Sequence, residues 1–167
     1  MVFLWIIQKQ IVLVVVGRVL VYSMYGHWLC EEFNPEDYFG FVYEIIDTTS
    51  DRKYIGKKQL QFTERRKVAG RKNRKVIRKD SNWREYTGSN KELNYEISQK
   101  GNELFEFKIL RLCKTKTELG YFECMYQFQE NVLHKRLDSG EYAFYNSNIM
   151  NRWFREKGWS DGAKNDI

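Results

Sequence analysis

Residues 41–56 constrain this chain more than any other stretch. Phe41-Val42-Tyr43-Glu44-Ile45-Ile46 gathers β-branched and aromatic side chains at the density of a strand. Asp47-Thr48-Thr49-Ser50-Asp51 follows as a turn cluster, because short polar side chains bond readily to nearby backbone. Lys53-Tyr54-Ile55-Gly56 then reads as the returning strand, which makes a β-hairpin. The next elements are equally marked. Ser89 with Glu92 three residues on forms a capping box, Leu93 and Ile97 share one face, and Gly101 stops that helix. In Leu104–Leu112 the residues Phe105, Phe107 and Ile109 alternate with Glu106 and Lys108, as a half-buried strand requires. Thr115 and Glu118 open a second capped helix, predicted to run to about His134 with Leu119, Phe122, Tyr126 and Leu133 as its apolar stripe. The order strand, strand, helix, strand, helix in 167 residues predicts one small α+β domain.

The flanks are less regular. Residues 24–39 are predicted as a lead-in loop, acidic from Glu31 to Asp37 and holding the only proline, Pro35. The segment 151–167 reads as a C-terminal tail. Residues 1–23 are strongly apolar, but Gln8-Lys9-Gln10 and Arg18 interrupt the roughly 20 apolar residues a membrane helix needs. Val21-Tyr22-Ser23 is a poor cleavage site for a signal peptide. We favour reading this stretch as a non-native leader, with Met24 as the start, over a membrane anchor.

Charge is unevenly distributed. Residues 57–79 hold eleven Lys or Arg side chains against Glu64, so this window carries +10 of a chain total of +6 and leaves −4 for the rest. A field so concentrated suits a polyanion such as nucleic acid, or else marks a solvated loop. The segment is predicted to be partly helical near Thr63–Val68 and looped around Gly70. Three cysteines without CxxC spacing give neither a disulfide framework nor a zinc site, and only two histidines, more than a hundred residues apart in sequence, give histidine-pair chemistry little support. Such cysteine usage fits a reducing cytoplasm.

One residue breaks its pattern. Glu123 lies four residues after Leu119 and three before Tyr126, within the apolar stripe. A carboxylate facing a core must be paired, protonated or bound to metal, since burying it alone costs on the order of several kcal/mol. A salt bridge to a lysine or arginine is the structural alternative to a functional role.

Phe41-Val42-Tyr43, ten intervening residues and Tyr54-Ile55-Gly56 resemble the paired motifs of the GIY-YIG nuclease family, with Gly40 just before the first triplet. Tyr86-Thr87-Gly88-Ser89-Asn90, the capped helix ending in Lys100-Gly101, and Phe105–Leu110 look like that family's middle region. Glu123 falls where the family keeps its metal-binding glutamate, and Tyr145-Asn146 resembles its closing pair. The resemblance covers residues 40–150, with 57–79 as a basic insertion, and is strongest to compact phage-type members with Lys-Lys after the second triplet. It implies a three-stranded antiparallel sheet flanked by helices, and the cytoplasm of a phage-infected cell as the place of action.

The resemblance also implies a metal-dependent DNA endonuclease. Glu123 would hold Mg2+ or Mn2+, Tyr43 would be the general base, and Tyr54 would orient water or phosphate. An arginine would clamp the phosphate; Arg65 and Arg66 both fit the family position, and Arg84 is a further candidate. Asn146 would brace the site. DNA contacts would come from Lys57, Lys58, Arg71, Lys72, Arg74, Lys75 and Arg84, with no small-molecule cofactor. The histidine that many members carry has no counterpart here. Plain strand packing remains the alternative for each tyrosine. At the level of function, the alternatives are a non-catalytic nucleic-acid-binding protein using residues 57–79 and, less favoured, a membrane-associated protein.

Overall fold

The computed structural model describes residues 2–7, 10–15, 18–67, 69–70 and 73–155. The hairpin is present as β5 (Gly40–Asp47) and β6 (Lys53–Gln59), numbered in chain order after β1 (Val2–Ile7), β2 (Gln10–Val15), β3 (Arg18–Tyr25) and β4 (Trp28–Glu31). Next come β7 (Gln61–Arg66), β8 (Lys75–Asp80), helix α1 (Lys91–Lys100) and β9 (Phe105–Cys113). Helix α2 (Lys116–Gln129) and the short strands β10 (Asn148–Ile149) and β11 (Trp153–Phe154) follow.

The fold is α+β with a mixed sheet, in the order β1-β2-β3-β4-β9-β5-β6. The antiparallel trio β9, β5 and β6 is the expected three-stranded sheet, but it is one part of a larger one. β4 adds to it parallel to β9, and β1–β3 continue as an antiparallel meander through the stretch read as a leader. Residues 24–39 are therefore not simply a loop. Trp28 of β4 is fully buried and donates from Nε1 to the Trp83 carbonyl at 2.6 Å. The acidic stretch after it makes one 3-10 turn at Pro35–Asp37, capped by Asn34. Among the described residues, no helix is long and apolar enough to cross a membrane.

β5 is buried on both faces because it is flanked by strands and covered on either side. Phe41, Tyr43 and Ile45 point into a core with Trp28, Trp83 and the α1 residues Leu93 and Ile97. Val42 points the other way, into a core with Ile55, Leu119 of α2, and Phe144. Successive side chains alternate across a strand, so one hairpin supplies both cores. α2 can approach this closely because Gly40 has no side chain: a Cβ there would lie 2.8 Å from Leu119 Cδ2.

Three local expectations change. The basic segment is not helical near residue 63; β7 and β8 form a separate two-stranded antiparallel ribbon instead. Its Glu64-Arg65-Arg66 stretch favours helix intrinsically, but propensity yields to the cross-strand ladder that pairs it with Lys75–Ile77. Helix α1 is capped by Asn90 rather than Ser89: Asn90 Oδ1 accepts from Leu93 N at 3.0 Å. Helix α2 keeps its Thr115 cap but stops at Gln129, and Asn131 at φ +50° bends the chain away before His134. Asparagine tolerates that left-handed region better than most residues.

Candidate active site

β6 is the outer strand of the sheet, so one of its edges lies bare of any neighbouring strand. The chain returns to cover part of that edge. Lys53 N donates to the Ala143 carbonyl and Tyr145 N donates to the Lys53 carbonyl, both at 2.8 Å. One step further the pairing continues through a side chain. Asn146 Oδ1 accepts from Ile55 N at 3.0 Å, and its Nδ2 donates to the Ile55 carbonyl at 2.8 Å. The primary amide of Asn146 thus stands in for the next peptide group of a strand. Beyond it the edge opens, and there the structure has a cleft of about 590 Å³.

Four segments wall this cleft: Tyr54 and Lys57 of β6, the α1 N-terminus from Ser89 to Glu92, Glu123 and Gln127 of α2, and residues 145–151 with Arg155. They are tied together. Asn90 caps α1 and also donates from Nδ2 to the Tyr145 carbonyl at 2.8 Å. Ser89, released from capping, lies 3.1 Å from the Tyr54 hydroxyl through Oγ. Lys57 Nζ meets Glu123 Oε2 at 2.7 Å, with the glutamate side chain 14% exposed and the lysine 42%. Glu123 is therefore paired as well as placed in the cleft. Gln127, one helical turn along, donates from Nε2 to the Ile55 carbonyl at 3.0 Å. Its Oε1 is buried with no hydrogen-bond partner among the described residues.

Of the residues predicted for the site, the structure brings Tyr54, Lys57, Glu123 and Asn146 into one cleft. Tyr43 stands directly behind, its ring centroid 6.1 Å from that of Tyr54 and its side chain almost wholly buried. The pairing of Tyr43 with Gly56 explains the glycine. A Cβ on Gly56 would sit 2.5 Å from the Tyr43 hydroxyl oxygen, so the aromatic ring fills the place a side chain would need. The register between β5 and β9 also shifts between Val42 and Tyr43, a bulge that re-aims the tyrosine.

Burial, reinforced by the neighbouring tyrosines Tyr54 and Tyr86, holds the Tyr43 hydroxyl well above the usual tyrosine range. Burial raises Tyr54 too, partly offset by its hydrogen bond to Ser89. Both hydroxyls keep their protons at neutral pH, so as they stand they are donors. A base role requires positive charge brought close to one of them.

The other candidates lie elsewhere. Lys58 donates to Asn82 Oδ1 at 2.8 Å, with its ammonium 3.8 Å from the centre of the Tyr86 ring. Arg84 pairs with Asp80. Arg65 and Arg66 are exposed on β7 and do not line the cleft. Arg74 is exposed between the ribbon strands and Lys75 begins β8, whereas Arg71 and Lys72 fall outside the described residues.

Sequence reasoning missed Gln127, Lys91 and Arg155. Gln127 lies four residues after Glu123, the one signal that could have flagged it. Arg155, in the predicted tail, donates to the carbonyls of Val132, Leu133, Phe144 and Asn146 and so fastens the back of the cleft.

With that geometry in place, comparison with known families is decisive. The model described as "Putative endonuclease segE, GIY-YIG domain" matches residues 24–149. The chain belongs to the GIY-YIG endonuclease family. GIY-YIG membership implies nuclease activity in general, and with it a nucleic-acid substrate. No curated protein and no solved structure matches the chain. Phe41-Val42-Tyr43 and Tyr54-Ile55-Gly56, the triplets that resemble the family's paired motifs, sit on adjacent strands of the matched region.

The donor set of the cleft is sparse for a divalent cation. Among the described residues no cluster of three or more His, Cys, Asp or Glu exists, so no closed protein cage is present. Glu123 with one oxygen beyond its bond to Lys57, and the unpartnered Gln127 Oε1 nearby, suit a largely hydrated hard cation that takes few protein ligands.

Proposed function

We propose that this protein is a metal-dependent DNA endonuclease that hydrolyses phosphodiester bonds in the cleft at the β6 edge. The observation that carries the reading is the convergence of Tyr54, Lys57, Glu123 and Asn146, from three separate parts of the chain, on one open cleft. A magnesium or manganese ion held by Glu123 and water would supply Lewis acidity toward the scissile phosphate.

The chain's own groups account for the remaining requirements. Lys57 and Lys91 bring positive charge to the cleft wall, where a phosphate's non-bridging oxygens need it. A phosphate drawing Lys57 away from Glu123 would leave that carboxylate free. Tyr54, held by Ser89, is the hydroxyl that reaches the cleft and would orient water or phosphate. Tyr43, behind it, would accept a proton only when cations near the pair lower its affinity for its own. Asn146 and Gln127 fix the Ile55 peptide and hence the strand that carries both Tyr54 and Lys57. Arg65 and Arg66 would meet DNA from the ribbon, together with Arg71, Lys72, Arg74 and Lys75.

The Lys57–Glu123 ion pair favours a second reading, in which Glu123 is structural and the protein binds nucleic acid without cutting it. Supercoiled plasmid separates the two. The wild-type chain should relax or linearise plasmid with magnesium or manganese and stop with chelator, and Glu123→Gln should bind DNA but leave it intact. Cleavage by Glu123→Gln at the wild-type rate would remove Glu123 from the chemistry.

A further inference from the structure

The β7–β8 ribbon has no evident reason to be folded in isolation. Its two six-residue strands make extensive contact only with one another, and a lone two-stranded hairpin is marginally stable in water. Neither face carries a core: Phe62 is half-exposed, and Thr63, Arg65, Arg66, Arg78 and Lys79 are all exposed. Residues 61–80 nevertheless hold nine Lys or Arg side chains against Glu64 and Asp80, a net +7.

The two faces differ. On one, Glu64 pairs with both Arg66 and Lys79, at 2.7 and 2.8 Å. On the other, Thr63 stands opposite Arg78, both bordering a concavity shared with Glu36, Asp37 and Lys114, with Arg65 further along the same face; neither arginine makes an ion pair among the described residues. Two strands lie about 5 Å apart with side chains spanning about 10 Å, and six residues run roughly 20 Å. The major groove of B-DNA is about 12 Å wide and 8.5 Å deep, and admits such a ribbon.

Resting on the reading of this chain as a DNA endonuclease, we infer that the β7–β8 ribbon lies in the major groove of duplex DNA with its Thr63–Arg65–Arg78 face toward the bases. Arginine matches the paired acceptors O6 and N7 of guanine, and threonine accepts either a donor or the thymine methyl group. Arg66 and Lys79, held by Glu64, face away from the base edges toward phosphate. The ribbon is then a determinant of where the cleft cuts.

Binding measured in chelator, where no cleavage occurs, tests this on the full chain. Duplexes are first enriched from a random-sequence pool by the wild-type protein, then remade with 7-deazaguanine, which removes N7 and leaves every phosphate in place. The wild type should bind the deaza duplexes about fivefold or more weakly, the low end of one bidentate base contact. Arg65→Ala/Arg78→Ala should bind both duplexes alike, and Arg66→Ala/Lys79→Ala should weaken both by the same factor and flatten the salt dependence. All variants should melt with the wild type, because these side chains are exposed.

Equal binding of the two duplexes by the wild type overturns the inference, as does a deaza penalty that survives Arg65→Ala/Arg78→Ala. A concentration-dependent dimer lost in the ribbon variants, without an effect on DNA, also overturns it. A protein that shows the deaza penalty yet never cuts DNA would sink the endonuclease reading alone.

Discussion

Replacing Asn146 by alanine isolates what one side chain contributes to the nuclease fold. Two hydrogen bonds vanish, but they are not equivalent. The Ile55 carbonyl keeps its bond from Gln127 Nε2, so its loss is one net hydrogen bond, about 1 kcal/mol. Ile55 N has Asn146 Oδ1 as its partner, and a buried donor left without one costs about 1–3 kcal/mol. The expected destabilisation is therefore about 2–4 kcal/mol, or roughly 4–16 °C in melting temperature for a chain of this size. Asn146→Asp sharpens the test. Its carboxylate could still accept from Ile55 N, but would set a second oxygen against the Ile55 carbonyl. Ionisation is thereby disfavoured in the folded state, which raises that carboxyl's folded pKa above its unfolded value. The aspartate variant should be least stable near neutrality and recover toward the wild type as pH falls. Urea unfolding of both variants between pH 4 and 7.5 reads these effects. An Asn146→Ala protein that melts with the wild type would refute the side chain's role as a strand extension.

Tyr43→Phe should lose about 1 kcal/mol of stability or less, yet cut DNA roughly a hundredfold more slowly if its hydroxyl takes the proton; single-turnover cleavage beside melting decides, and normal cutting would move attention to Tyr54. Gly56→Ala should destabilise by about 1–3 kcal/mol through overpacking against the Tyr43 ring, and Tyr43→Ala in the same chain should relieve part of that clash, read as coupling in a double-mutant cycle. Glu123→Gln should shift stability by no more than about 1 kcal/mol, because its lysine partner is 42% exposed and can turn to solvent, while plasmid cleavage is lost. Burial pushes the Asp47 carboxyl up, but Lys100 and Thr49 outweigh it and hold the group well below the usual carboxylate range. The wild type's advantage over Asp47→Asn should thus be complete above about pH 5 and shrink as pH falls below about 4, as chemical denaturation across that range would reveal.

The parts of this fold that were legible in the sequence are those where burial imposes a period. β5 and β9 carry their pattern because each covers a core, and Thr115 marks the start of α2 because only its hydroxyl is placed to cap it. Where burial is local or absent, pattern gave little. β4 is four residues long and rests on one fully buried tryptophan. The ribbon covers nothing, so its charges hide any alternation and its helix-favouring residues mislead. Two adjacent capping residues, Ser89 and Asn90, could not be ranked without knowing that Tyr54 stands beside the first. The site followed the same rule. Glu123 was visible as a charge out of place, whereas Gln127 looked like an ordinary polar residue on a helix surface. In the structure it is Gln127 that is buried and Tyr126 that is only half-buried. Arg155 had no signal at all, because four backbone carbonyls leave no mark on the sequence.

The cleft draws its walls from residues as far apart as Tyr54 and Arg155. Protein synthesis proceeds from the N-terminus, and early segments fold before later ones emerge. A chain still on the ribosome that ends after α1 already carries the basic segment but lacks β9, the strand that pairs with both β4 and β5. It has no Asn146 to close the β6 edge and no Arg155 to fasten the back wall. On the proposed reading, the hydrolytic site comes into being only after nearly the whole domain has left the ribosome, so the incomplete chain lacks a site with which to cut DNA.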